Sequence, residues 1–153
     1  MLLGPVKLYG THKAKNVENG WQFSKVYPKH DTSGSPNEEY WEWATKGWAD
    51  QWGHRYPMGK GAIPLYSYWD GSKLDYIEAR KRIYLPLYLQ AVQRSKAYQR
   101  LVALYREHRQ ICLWDYDGYD YHKLGMTLKD VLNDPTKKMG HAFVLAMLLE
   151  RIK

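Results

Sequence analysis

The run "GHAFVLAMLLERI", residues 140–152, leaves this chain little choice. Read as a helix it is apolar nearly all round, and such a helix needs other elements to bury it. It falls well short of the roughly 20 consecutive apolar residues that span a bilayer. No other stretch comes closer, so the rest of the chain must supply the cover.

Helix starts in that remainder are well marked. Ser35 as N-cap, Pro36 at the first position and Glu38 three residues after the cap predict a helix to about Trp52. Tyr40, Trp41, Ala44, Trp48 and Trp52 form its stripe, which suits core packing first and a stacking wall second. Asp75, with Glu78 three residues on, opens "DYIEARKRIYLPLYLQAV". Ile77, Tyr84, Leu87, Tyr88 and Ala91 share its apolar face, and Pro86 should kink or interrupt it. Ser95 caps a helix through about His108, with Leu101, Leu104 and Tyr105 inward, and Thr127 and Asp130 bracket a short helix ending near "NDP".

Between these, "VKLY" and "WQFSKVY" are short and β-prone, "KHDTSGSPN" is a loop, and "RYPMGKGAIP" cannot continue a helix. "QICLWDY" reads as a buried strand. With no repeat or long linker, the expectation is one compact α+β domain over residues 1–153, predominantly helical with a few short strands.

Composition narrows the function classes. The net charge of +7, from 23 basic and 16 acidic residues, favours anionic partners, although many soluble proteins are basic without functional cause. Seven Trp and fourteen Tyr against two Phe are large rings with polar handles, suited to ligand pockets and base stacking as well as to cores. The opening "MLLGPVKLYG" lacks the features of a signal peptide, and Cys112, the only cysteine, cannot form an internal disulfide. A reduced, cytoplasmic protein with no membrane partner is expected.

Chemistry concentrates in "ICLWDYDGYDYHKLG", Ile111 to Gly125. Asp115, Asp117, Asp120 and His122 offer hard ligands for Mg²⁺ or Ca²⁺, but not at the spacing of an EF-hand loop. The competing reading is structural, with Asp and Gly shaping turns and capping nearby backbone. "LWDYDGYD" resembles the first motif of haloacid dehalogenase-like phosphatases, yet only 33 residues follow Asp120, too few for that family's later strands. Gly59 and Gly61 flank Lys60 with Arg55 close by, a weak phosphate cradle lacking P-loop spacing. Glu78 sits where a capping-box glutamate belongs.

Three stretches, in order, resemble the NADAR family of small, mostly helical domains associated with NAD and ADP-ribose metabolism. "FSKVYP" (Phe23–Pro28) is similar to that family's early "LSNFYP"-like segment, and "WDGSKLDYIEARKRIY" (Trp69–Tyr84) lays Glu78 on the family's glutamate. "NDPTKKMGHAFVLAMLLER" (Asn133–Arg151) is similar to its closing motif, although the family's Asn falls on Ala142. The family's Trp-Gly pair has no clean counterpart, and its Lys is shifted, leaving Lys81 or Arg80 to stand in. The ending is also similar to those of bacteriophage proteins, so a divergent, phage-encoded member acting in the host cytoplasm fits.

The resemblance implies cleavage of N-glycosidic bonds, including removal of ADP-ribose from nucleic-acid bases, and no cofactor. It makes Glu78, Asp115 and Asp117 the candidate catalytic carboxylates, since a carboxylate stabilises an oxocarbenium-like state or activates water. Lys25, Arg55 and Lys60 would hold the pyrophosphate and Trp69 or Tyr27 would stack a base, with Lys81 and His141 completing the binding set. The rival is a non-enzymatic binder of a nucleotide, nucleic acid or host protein, although no nucleic-acid-binding motif is recognisable.

Overall fold

The computed structural model describes residues 3–152 as a fairly helical α+β chain with a few short antiparallel strands. It divides into two compact units, Met1–Ala91 and Val92–Lys153.

In the first unit β1 (Val6–Lys7) pairs with β2 (Lys13–Ala14), followed by α1 (Val17–Gln22) and β3 (Lys25–Val26). The segment Trp21–Tyr27 is therefore strand only at Lys25–Val26, near its end. Asn16 caps α1 by accepting from Asn19 N at 2.8 Å, and this local bond draws Trp21 and Gln22 into helix. β4 (Asp31–Thr32) and β5 (Ser35–Pro36) form a small hairpin inside the expected loop.

Next comes α2 (Glu38–Ala49), whose cap is Asn37, not Ser35. Ser35 and Pro36 are occupied in the hairpin, while Asn37 accepts from Tyr40 N at 3.0 Å and donates to Lys29 O at 3.0 Å. The helix also stops before Trp52. Buried Asn19 donates to the carbonyls of Asp50 and Trp52 and accepts from His54 N, which turns the chain away and leaves Trp52 67% exposed.

β6 (Tyr66–Trp69) lies between β3 and β7 (Ser72–Leu74) in a three-stranded antiparallel sheet. The β6–β7 turn is Asp70–Gly71, with φ of 46° and 81°, a backbone that glycine adopts freely and Asp tolerates. Asp75 caps α3 (Tyr76–Ala79) as expected, and the helix continues through a π-helical segment, Arg80–Tyr84, into α4 (Leu85–Val92). The π segment is how the chain accommodates Pro86, which has no N–H to return and crowds the preceding turn.

In the second unit α5 (Lys96–His108) starts at Ser95 as expected, but none of its residues is buried and Leu104 is 48% exposed instead of inward. α6 (Leu128–Asn133) carries a complete capping box between Thr127 and Asp130. α7 (His141–Glu150) buries Phe143, Val144, Leu148 and Leu149, whereas Leu145 and Met147 are half-buried. The expected strand at "QICLWDY" is neither buried nor paired with any strand among the described residues. Strand propensity becomes a strand only where a partner edge is offered.

Candidate functional site

Lys25 is the predicted site residue whose surroundings are most unusual. β3 sets it one residue beyond Ser24, and its Nζ donates to Gln22 Oε1 at 2.8 Å and stands 5.0 Å from the centre of the Trp21 ring. Gln22 in turn donates to Glu18 Oε1 at 2.9 Å, one turn earlier on α1. Burial brings the ammonium down from its usual 10.5 to a pKa of about 8, against the opposing pull of the Glu18 carboxylate. Lys25 is thus a cation at neutral pH that gives up its proton within reach of physiological conditions.

Trp21 connects this lysine to the helix after β7. Its ring lies 5.4 Å from Tyr84 and 6.4 Å from Tyr76. Beneath Tyr76 lies Arg80, only 1% exposed, with its guanidinium carbon 4.4 Å from the ring centre and Nη2 donating to the phenol oxygen at 3.0 Å. A fully buried arginine is a signal of constraint, because its charge is costly to remove from water. It could have been found in the sequence: Arg80 stands four residues before Tyr84 on the helix's inward face. Lys81, the other stand-in, is half-buried and its Nζ lies 3.6 Å from Glu78 Oε1.

Glu78 is exposed. Its backbone N–H donates to Asp75 Oδ1 at 2.8 Å, so Asp75 does the capping, and the Glu78 carboxylate turns to Lys81. Arg55 and Lys60 lie in the exposed loop after α2, with Arg55 5.5 Å from the Tyr56 ring. Tyr27 and Trp69 each join a different ring cluster from Lys25. Trp69 packs edge-on to Tyr9 at 4.9 Å, Tyr9 itself lies 6.4 Å from Trp48, and Tyr27 is 6.0 Å from Trp43, its phenol pKa raised by burial.

That second cluster encloses His30. Its ring lies 4.5 Å from Trp43, is fully buried and has no hydrogen-bond partner at either nitrogen among the described residues. Burial first, then Lys29, lowers its pKa, with Glu39 opposing, so the imidazole is held neutral. Phe23 lies against α2 at Gly47, where a Cβ would overlap the ring.

The remaining candidates belong to the second unit. Asp115 Oδ2 accepts from Ala142 N at 3.0 Å, which places its carboxylate at the N-terminus of α7. Gly140 opens that helix without a side chain of its own to cap it, and a Cβ there would overlap the Asp115 carboxylate. Asp117 lies close beside the same glycine and is half-buried, and His141 is the exposed first residue of α7. Asp120 Oδ1 accepts from Lys123 N at 3.2 Å in a turn, and the His122 ring lies 4.1 Å from Tyr121. Among the described residues no three His, Cys, Asp or Glu side chains are grouped to hold a metal ion. No described helix is long and apolar enough to cross a membrane. The chain matches no protein-family model, no curated protein and no solved structure.

Proposed function

We propose that this protein is an N-glycosidase-like hydrolase of the host cytoplasm, acting on an ADP-ribosyl or related nucleotide bond, with its site in the first unit. One observation carries the reading. Phe23–Pro28 and Trp69–Tyr84, the first two stretches that resemble the NADAR family, are brought near each other: β3 pairs with β6, the strand that ends at Trp69, and Trp21 stands between Lys25 and Tyr76, which in turn covers Arg80. The group combines a titratable cation for an anionic ligand with exposed Tyr76 for stacking. Arg80, being buried, acts as a positioning residue that holds the Tyr76 phenol.

Glu78 is the carboxylate for the reaction. It caps nothing, so its charge is available to stabilise an oxocarbenium-like state or to activate water. Asp115 is the weaker choice, because the α7 N-terminus already engages it. A nucleotide binder without turnover is the second reading, favoured by the ion pair between Glu78 and Lys81.

The experiment pairs calorimetry with a cleavage assay, using ADP-ribose, NAD and an ADP-ribosylated oligonucleotide. Cleavage by the wild type that Glu78→Gln abolishes while ADP-ribose still binds supports the hydrolase. Binding that Lys25→Met removes, with no turnover by any form, supports the binder. Neither heat nor cleavage from the wild type ends both readings.

A further inference from the structure

His30 is a titratable group that the proposed reaction leaves unused, and its setting suits only one of its protonation states. It ends a short 3₁₀ turn, Pro28–His30, with its ring wholly buried against Tyr27, Tyr40 and Trp43. A neutral imidazole leaves one donor and one acceptor unmet there. An imidazolium would leave two charged donors unmet in an apolar enclosure, which costs far more, and attraction to the ring faces offsets only part of that. The charged groups nearby offer no remedy. Lys29, in the same turn, and Glu39 of α2 pair with each other at 3.0 Å. Asp31, the next residue, accepts from Gly34 N at 2.9 Å and from the Tyr66 phenol of β6. Tyr27 and Tyr40 stay uncharged, their pKa values raised by burial.

What the ring holds in place is unusually dependent on it. From Pro28 to Asn37 every residue is exposed or half-buried except His30. That stretch contains the hairpin of β4 and β5, strands of two residues each, with Ser33 and Gly34 at positive φ in its turn. Its outward bonds are few: Lys73 Nζ donates to Gly34 O at 2.8 Å, and the Tyr66 phenol donates to Asp31. His30 N donates to Tyr27 O at 2.8 Å, and its carbonyl accepts at 3.0 Å from the N–H of Asn37, the residue that caps α2. A short, exposed segment with a single buried anchor opens at less cost than the core it covers. We propose that His30 is an acid-released latch: its neutral ring anchors Pro28–Asn37 against α2, and its protonation frees that segment while the rest of the unit stays folded.

The sign of the effect follows from where the proton is held. Released, the imidazole has its usual pKa of 6.5; anchored, burial and then Lys29 depress it, with Glu39 opposing. The latch is therefore at full strength above 6.5 and weakens by up to about tenfold per pH unit as pH falls toward the depressed value. Down to about pH 5 the carboxylates stay largely ionised, so this window isolates the imidazole. Amide hydrogen exchange of the full chain, followed by NMR and corrected for the intrinsic pH dependence of exchange, reads the latch at the His30 and Asn37 N–H groups. In the wild type their protection should fall about tenfold or more between about pH 7 and pH 5, while α1 keeps its protection. His30→Leu and His30→Gln cannot take up the proton. Each should show the same protection at both pH values, and the glutamine variant serves if the leucine one does not fold. Wild-type amides that stay protected at pH 5 overturn the proposal. So does a loss shared equally by α1, which is global unfolding, or a loss that a folded His30 variant reproduces.

Discussion

Helices α3 and α7 face the same problem, unsatisfied N–H groups at their first turn, and solve it in opposite ways. At α3 the cap is Asp75, adjacent in sequence, and Glu78 is left with its carboxylate in solvent beside Lys81. At α7 the N-cap position is Gly140, and the acceptor is Asp115, 27 residues before the Ala142 N–H that it engages. The difference separates two carboxylates that look alike in sequence. Capping is done for Glu78 by its neighbour and is done by Asp115 itself, so one is available for chemistry and the other is engaged in holding a helix.

The sharpest test of the first unit is its interior charge. Arg80→Ala should cost about 3 kcal/mol in chemical denaturation, since it empties a buried volume and leaves the Tyr76 phenol without its donor. Arg80→Met should recover part of that loss. A cost below about 1 kcal/mol would show that the guanidinium is not integral to the packing.

Glu78→Gln follows in size, and here stability and activity should part. Cleavage should fall about 10²-fold while the free energy of unfolding moves by no more than about 0.5 kcal/mol. Asp75→Ala, by contrast, should lose about 1 kcal/mol of stability. If Glu78→Gln melts lower than Asp75→Ala, the capping role has been given to the wrong residue.

At α7 the prediction is one of coupling. Asp115→Ala should cost about 1–2 kcal/mol, from the lost cap and the lost charge at the helix N-terminus. Gly140→Ala should cost a similar amount by displacing the carboxylate, but little once Asp115 is already alanine. Additive losses in the double mutant would mean that the glycine matters for another reason.

The smallest effect expected is the titration of Lys25. Its folded pKa of about 8 lies below the unfolded 10.5, so between those values the unfolded chain binds more protons and stability rises with pH. Relative to Lys25→Met, the wild type should gain about 1–2 kcal/mol across that window, a full linkage effect reduced by solvent screening of a half-buried group. Comparison with the mutant is needed because buried phenols such as Tyr27, whose pKa values are raised, lose stability as pH climbs past 10. Parallel pH curves for the two proteins would remove Lys25 from the list of perturbed groups.

What was legible in advance follows the reach of each interaction. The caps at Asp75, Ser95 and Thr127 rest on bonds spanning three residues, and residue type and spacing report those directly. Errors arose where distant groups competed. Asn37 displaced Ser35 because a hairpin had already taken Ser35, and Asn19 ended α2 from the preceding helix. At the site, Lys25 and Glu78 were legible as residue types, whereas Arg80 beneath Tyr76 and Lys25 beside Trp21 depend on where β3 and the α3 helix lie.

The acidic stretch shows the division most plainly. Sequence alone determined that Asp115, Asp117 and Asp120 would stand at the end of an apolar, strand-like run, where carboxylates shape turns or bind ligands. Only the tertiary structure decided between those uses for Asp115, by delivering the bare N–H groups of α7 to its carboxylate. A carboxylate accepts from whichever donor the fold presents, and the positions of donors far along the chain are not written in the residues around it.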